Sequence, residues 1–135
     1  MPEESFVKVH ADQGTSGPIR LEVESVQRDD RNTLVLSGEL DLASAWALTE
    51  SVERLATESP RALSIDLSAL TFMDSTGLRA VLLARAACID SGHDFSLKPG
   101  PPAVQRIFEL TGLIAELGFE DPDSGASADH PDRAA

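Results

Sequence analysis

Between Ala62 and Ile89 the chain changes from one periodicity to another within about ten residues. Leu63, Ile65 and Leu67 alternate with Ser64, Asp66 and Ser68, a spacing of two that predicts a half-buried strand. From Leu78 onward, apolar residues recur at three and four: Leu78, Val81, Leu82, Ala86 and Ile89. That helical run stops at Ser91-Gly92, a plausible C-terminal cap, and another strand pattern follows from Asp94 to Lys98. A strand, a helical crossover and a second strand form the unit from which parallel sheets are built.

The same alternation extends in both directions. Ile19, Leu21 and Val23 alternate with Arg20, Glu22 and Glu24. Polar residues 27–32 then make a turn, and a strand follows from Thr33 to Glu39. Leu42, Ala45, Trp46, Thr49, Val52, Leu55 and Ala56 have helical spacing. After Pro101 and Pro102, a third helical run carries Val104, Ile107, Phe108 and Leu110 and ends at Gly112. Leu113 to Phe119 fits a short helix, an edge strand, or both in turn. The first two strands, joined by a turn, should be antiparallel, and the three joined by helices should be parallel. Each strand has one polar face. The fold class is therefore α/β, with a four- or five-stranded mixed sheet covered by helices mainly on one face. This departs from the usual burial of parallel strands on both faces. Residues 1–18 and 120–135 are polar and rich in acids, glycine or proline, and are expected to be flexible tails around one domain at 19–119.

Charge narrows the partners. The 135 residues carry a formal charge of −12, which opposes phosphate backbones and anionic lipid surfaces. Direct nucleic-acid binding is not expected, and a protein partner with a basic face is. Aromatic residues are only 4%, so an aliphatic core is expected, anchored by Phe72, Phe95, Phe108 and Phe119. The single Cys88 rules out an internal disulfide, and its position on a helical run suits a small buried side chain. No apolar run is long enough to span a membrane, and Met1 to Lys8 lacks a signal-peptide pattern, so a cytoplasmic protein is expected.

Catalytic machinery is not evident. There is no phosphate-binding loop, no dinucleotide fingerprint and no pair of glycines flanking Ser75 as in a nucleophile elbow. His10 and His130 lie in the expected tails and His93 in a turn, away from any acid–base or metal constellation. No catalytic residue, cofactor or metal is expected.

Two turns remain. Phe72-Met73-Asp74-Ser75-Thr76-Gly77-Leu78 joins a strand to a helix. Its Asp, Ser and Thr are all good N-caps, and a helix N-terminus also tolerates a phosphate carried on a hydroxyl. Gly77 weakens the first turn of the helix, and suits a place where another backbone comes close. Gly38-Glu39-Leu40-Asp41 likewise ends a strand before a helix. Both strands are expected to be parallel, so Glu39, Asp41, Asp74 and Ser75 should share one sheet edge, where α/β sheets usually meet their ligands.

These segments, with Leu63-Ser64-Ile65-Asp66-Leu67 and the stretch Pro102 to Leu113, resemble the anti-sigma factor antagonists of the STAS domain family. The resemblance covers about residues 19–119. It implies a partner switch in which the unphosphorylated protein binds an anti-sigma factor that is also a serine kinase, freeing a sigma factor. Phosphorylation then ends the binding, and a serine phosphatase resets it. Matched to this chain, the acceptor is Ser75, with Thr76 the lesser candidate, and the docking surface comprises Glu39, Asp41, Asp74, Ser75, Thr76 and Gly77. The expected setting is a bacterial stress response or other transcriptional switch. An alternative keeps the fold but makes the chain an accessory subunit of a membrane transporter or a scaffold in a stress-sensing complex.

Overall fold

The computed structural model describes residues 5–12, 19–56, 62–114, 117, 119 and 120. Its elements are β1 (Ser5–Asp12), β2 (Ile19–Arg28), β3 (Arg31–Leu40), α1 (Ala45–Ala56), β4 (Ala62–Met73), α2 (Ser75–Asp90), β5 (Asp94–Lys98) and α3 (Pro102–Leu110). One sheet takes the strands in chain order. β1–β2 and β2–β3 are antiparallel, and β3–β4 and β4–β5 are parallel.

The hairpin turn between β2 and β3 narrows to Asp29 and Asp30, with Arg28 paired to Arg31. Asp29 takes a positive φ of 57°, which Asp tolerates better than most residues. This tight closure fixes the register, so Val23 faces Leu36 and Leu21 faces Gly38. The parallel ladder continues the row, with Leu34 beside Ile65 and Ile65 beside Leu97. All of these apolar side chains are fully buried, with Leu67, under α1, α2 and α3. Each such burial contributes about 1.5–3 kcal/mol. On the opposite face Glu22, Glu24, Thr33, Val35, Asp66 and Lys98 are only half-buried.

Several expectations change. Ser5–Asp12, assigned by sequence to the N-terminal tail, is β1, and Val9 packs on the core. Val7, Val9 and Ala11 do alternate with Phe6, Lys8 and His10, and β2 offers them an antiparallel edge. Glu120, assigned to the C-terminal tail, is tied to the sheet. Its amide donates to the Leu97 carbonyl (2.7 Å), and its carboxylate accepts from Ser96 (2.7 Å) and Ser64 (3.1 Å). Phe119 bridges to Leu97 and meets the fully buried Phe108 edge-on, with ring centroids 5.0 Å apart. The rest of the two expected tails, residues 1–4, 13–18 and 121–135, lies outside the described residues.

The helical stripes are also shifted. α1 buries Ala47, Leu48, Ser51 and Leu55, while Trp46 and the preceding Leu42 are exposed. Small residues lie against the sheet, and Ser51 satisfies its buried hydroxyl by donating to the Ala47 carbonyl (2.9 Å). In α2 and α3, Leu78, Val81, Val104 and Phe108 are buried, but Ile89 and Leu110 face outward. Gly92 and Gly112 have positive φ just past α2 and α3, where the helices were expected to stop.

Candidate functional site

Two irregularities in β4 shape the edge where the two turns meet. Against β3, β4 carries an extra residue between the pairs Val35–Asp66 and Ser37–Ala69, and another between Gly38–Leu70 and Glu39–Phe72. Such bulges re-aim side chains. Leu70 and Met73 therefore turn inward, and Phe72, expected as a core anchor, is 47% exposed. The strand ends then run side by side, with Glu39 next to Phe72 and Leu40 next to Met73. The Asp74 amide donates to the Leu40 carbonyl (3.3 Å), joining the two turns directly.

At the start of α2 the capping role falls to Asp74. Its backbone is extended, and its Oδ1 accepts from the Gly77 amide (3.0 Å). Ser75 is the first helical residue and is exposed, while Thr76 is half-buried. Of the two uses that the sequence leaves open for this turn, capping falls to Asp74. Asp74 closes the helix end, and Ser75 keeps its hydroxyl at the surface beside the positive end of the helix.

Gly77 lies under the neighbouring turn. A Cβ there would come within 2.4 Å of the Leu40 carbonyl oxygen and 2.9 Å of Leu40 Cγ and Met73 Cγ. This is the close backbone approach that its position suggested. Gly38 has a second reason to be glycine: its φ is +110°, and a Cβ would meet the Arg20 carbonyl oxygen at 2.3 Å.

Asp41 is turned inward. Its Oδ1 accepts from the amides of Ala43 (3.0 Å) and Ser44 (3.1 Å) and from the Ser44 hydroxyl (3.1 Å). Its Oδ2 meets Arg20 Nη1 at 2.8 Å. The Ser44 hydroxyl, itself buried, lies 2.7 Å from the Glu39 carbonyl oxygen, and the Asp41 amide donates back to Ser44 Oγ (2.9 Å). Arg20 Nη1 also reaches Glu39 Oε1 at 2.8 Å, and the Glu39 side chain is 47% exposed against 15% for Asp41. Glu39 is therefore the acid this edge presents, and Asp41 is the acid that builds the turn.

All six candidate residues thus lie on or beside two joined turns at one sheet edge. Sequence reasoning missed Arg20, Ser44 and the apolar flank. The signal for Arg20 was present. With the hairpin closed at Asp29–Asp30, residue numbers of β2–β3 partners sum to 59, which puts position 20 opposite position 39. Leu42, Trp46 and Phe72 are exposed next to Asp41, at the start of α1 and beside Glu39. An edge with an exposed acid, apolar side chains and an accessible hydroxyl is suited to docking a protein that has a basic surface.

Among the described residues, no group of His, Cys, Asp and Glu is placed to hold a metal, and no helix is long and apolar enough to cross a membrane. Cys88 is buried, with its sulfur 3.2 Å from the Asp94 carbonyl. Burial and the Asp94 charge push its thiol pKa upward, which lowers its thiolate fraction.

The mixed sheet in chain order, with its helices on one face and the two joined turns at its edge, defines a small single-sheet α/β module. A family model described as "Mlab, STAS domain" matches residues 23–117. The anti-sigma-F factor antagonist RsfB of Mycobacterium tuberculosis is 33% identical over 98 residues, 73% of this chain and 80% of RsfB. An anti-sigma-B factor antagonist of Listeria monocytogenes is 29% identical over 96 residues, 70% of this chain and 84% of that protein. The crystal structure of an anti-sigma factor antagonist from Mycobacterium paratuberculosis superposes with a TM-score of 0.71 at 28% identity, covering 80% of this chain and 92% of that one. SpoIIAA in its unphosphorylated form shares the fold, with a TM-score of 0.61 at 19% identity, covering 84% of this chain and 97% of SpoIIAA. The chain belongs to the STAS domain family, among the anti-sigma factor antagonists.

Proposed function

We propose that this chain acts in the cytoplasm as an anti-sigma factor antagonist controlled by phosphorylation of Ser75. Unphosphorylated, it docks through the Glu39–Ser75 edge onto an anti-sigma factor that is also a serine kinase, and a sigma factor is released. The kinase transfers phosphate to the Ser75 hydroxyl, the complex separates, and a serine phosphatase restores the binding form. The chain is a substrate and a binding partner, with no reaction of its own.

One observation carries this reading: the cap bond at α2 belongs to Asp74, so Ser75 is exposed with no structural duty at the helix end. Phosphate would add about −1.5 to −2 charges there at neutral pH. On the free protein that charge is solvated and lies at a helix N-terminus. In a complex it would lose water beside Asp74 and Glu39. A penalty of about 4 kcal/mol lowers affinity about a thousandfold.

The test is to incubate the chain with its anti-sigma kinase and ATP and map the product by mass spectrometry. One phosphate on Ser75 is expected, and Ser75→Ala should stay bound to the kinase. Phosphate on Thr76, or normal release of Ser75→Ala by the kinase, contradicts the assignment. A transporter subunit with the same fold would not bind a purified anti-sigma factor.

A further inference from the structure

We infer that Arg20 is a positioning residue of the docking edge, holding Glu39 in the orientation in which a cationic side chain of the partner meets it. The inference rests on the reading of this edge as the anti-sigma docking surface.

The geometry has a direction. Asp41 is the fixed end, because its Oδ1 is taken up by Ala43 and Ser44 at the entry to α1. Its second oxygen anchors Arg20 Nη1 at 2.8 Å, and the same nitrogen reaches Glu39 Oε1 at 2.8 Å. Exposure rises along the chain of contacts: the side chains of Asp41, Arg20 and Glu39 are 15%, 22% and 47% exposed. Glu39 would otherwise be a flexible acid at a strand end, and ordering it on binding would cost side-chain entropy. With Arg20 in place that ordering is done in advance, and Glu39 still has a second oxygen to offer.

Arg20 also moderates charge. Without it, Glu39 and Asp41 would repel each other within reach of one nitrogen atom. With it, the trio carries a net single negative charge, confined to the exposed end. Among the described residues, Arg20 Nε is buried and has no partner, and the contacts to both acids run through the one nitrogen Nη1. A lysine ammonium, a point charge on a flexible stem, can therefore substitute where a bidentate fork would not permit it.

Binding of the full-length chain to a purified anti-sigma factor, chosen from the host's own set as one that binds wild type, tests this by calorimetry. Glu39→Gln should weaken binding about tenfold, the scale of one charge-assisted contact. Arg20→Gln should weaken it about fivefold, and Arg20→Lys should remain within about twofold of wild type. The double variant Arg20→Gln/Glu39→Gln should bind as Glu39→Gln alone does, because Arg20 acts through Glu39. Unchanged or tighter binding by Arg20→Gln overturns the inference, as does an Arg20→Lys as weak as Arg20→Gln. Multiplied losses in the double variant also overturn it, since Arg20 would then contribute independently of Glu39. If no host anti-sigma factor binds wild type, the docking reading itself fails, and the two failures are distinguishable.

Discussion

Replacing Gly77 by alanine sets two known effects against each other. In an exposed helix, Gly→Ala stabilises by about 1 kcal/mol. Here the new Cβ would lie 2.4 Å from the Leu40 carbonyl oxygen. A carbon and an oxygen rest at about 3.3 Å or more, so one backbone must retreat by about 0.9 Å. That carbonyl also accepts the Asp74 amide at 3.3 Å, so the retreat strains the bond joining the two turns. Overpacking costs about 1–3 kcal/mol, and a lost hydrogen bond about 1 kcal/mol. After the propensity gain, the net destabilisation is about 2 kcal/mol, a fall in Tm on the order of 10 °C for a domain of this size. Urea unfolding followed by circular dichroism reads this as a lower midpoint with an unchanged slope. A Gly77→Ala protein as stable as wild type, or more so, would refute the close approach of the two turns.

The other substitutions separate residues that hold the two turns together from those that do not. Asp74→Ala should cost about 0.5–2 kcal/mol, as the loss of a cap does, while Ser75→Ala should stay within about 0.5 kcal/mol of wild type in the same unfolding assay. Asp41→Ala should cost about 2 kcal/mol, because its carboxylate accepts from two amides, a hydroxyl and Arg20, and partner affinity should be compared only after this loss is measured. The raised pKa of Cys88 means less thiolate near pH 8 than in an ordinary cysteine. Iodoacetamide should therefore label the native protein at least about tenfold more slowly than the urea-unfolded chain, as followed by mass spectrometry.

The order from β2 to α3 was legible in the sequence because each of these elements carries a stretch of one period. Leu63, Ile65 and Leu67 mark a strand wherever they pack, and Leu78 and Val81 mark a helix. Gly77 was legible as well, since a glycine in the first turn of a helix is costly unless something crosses close to it. Phe72 was misjudged because the bulges that turn it outward leave no trace in hydrophobic alternation. Trp46 and Leu42 have helical spacing, yet α1 uses Ala47, Leu48 and Ser51 against the sheet, where small side chains permit close packing. β1 was hidden by the apolar Phe6, which interrupts the alternation with Lys8 and His10, and by the glycine and proline that follow it. That Asp74 rather than Ser75 caps α2, and that Asp41 rather than Glu39 holds the turn before α1, depends on which oxygen meets which amide. Residue type alone leaves those choices open, since Asp41, Ser44, Asp74, Ser75 and Thr76 are all acceptable caps.

The most direct test of the account is the affinity of this chain for its anti-sigma factor with and without phosphate on Ser75. Phosphoserine can be installed at position 75 during synthesis and both forms titrated by calorimetry at the same salt concentration. The account predicts tight binding by the unmodified chain and an affinity about a thousandfold lower for the phosphorylated one, with both forms folded. Equal affinities for the two folded forms would contradict it.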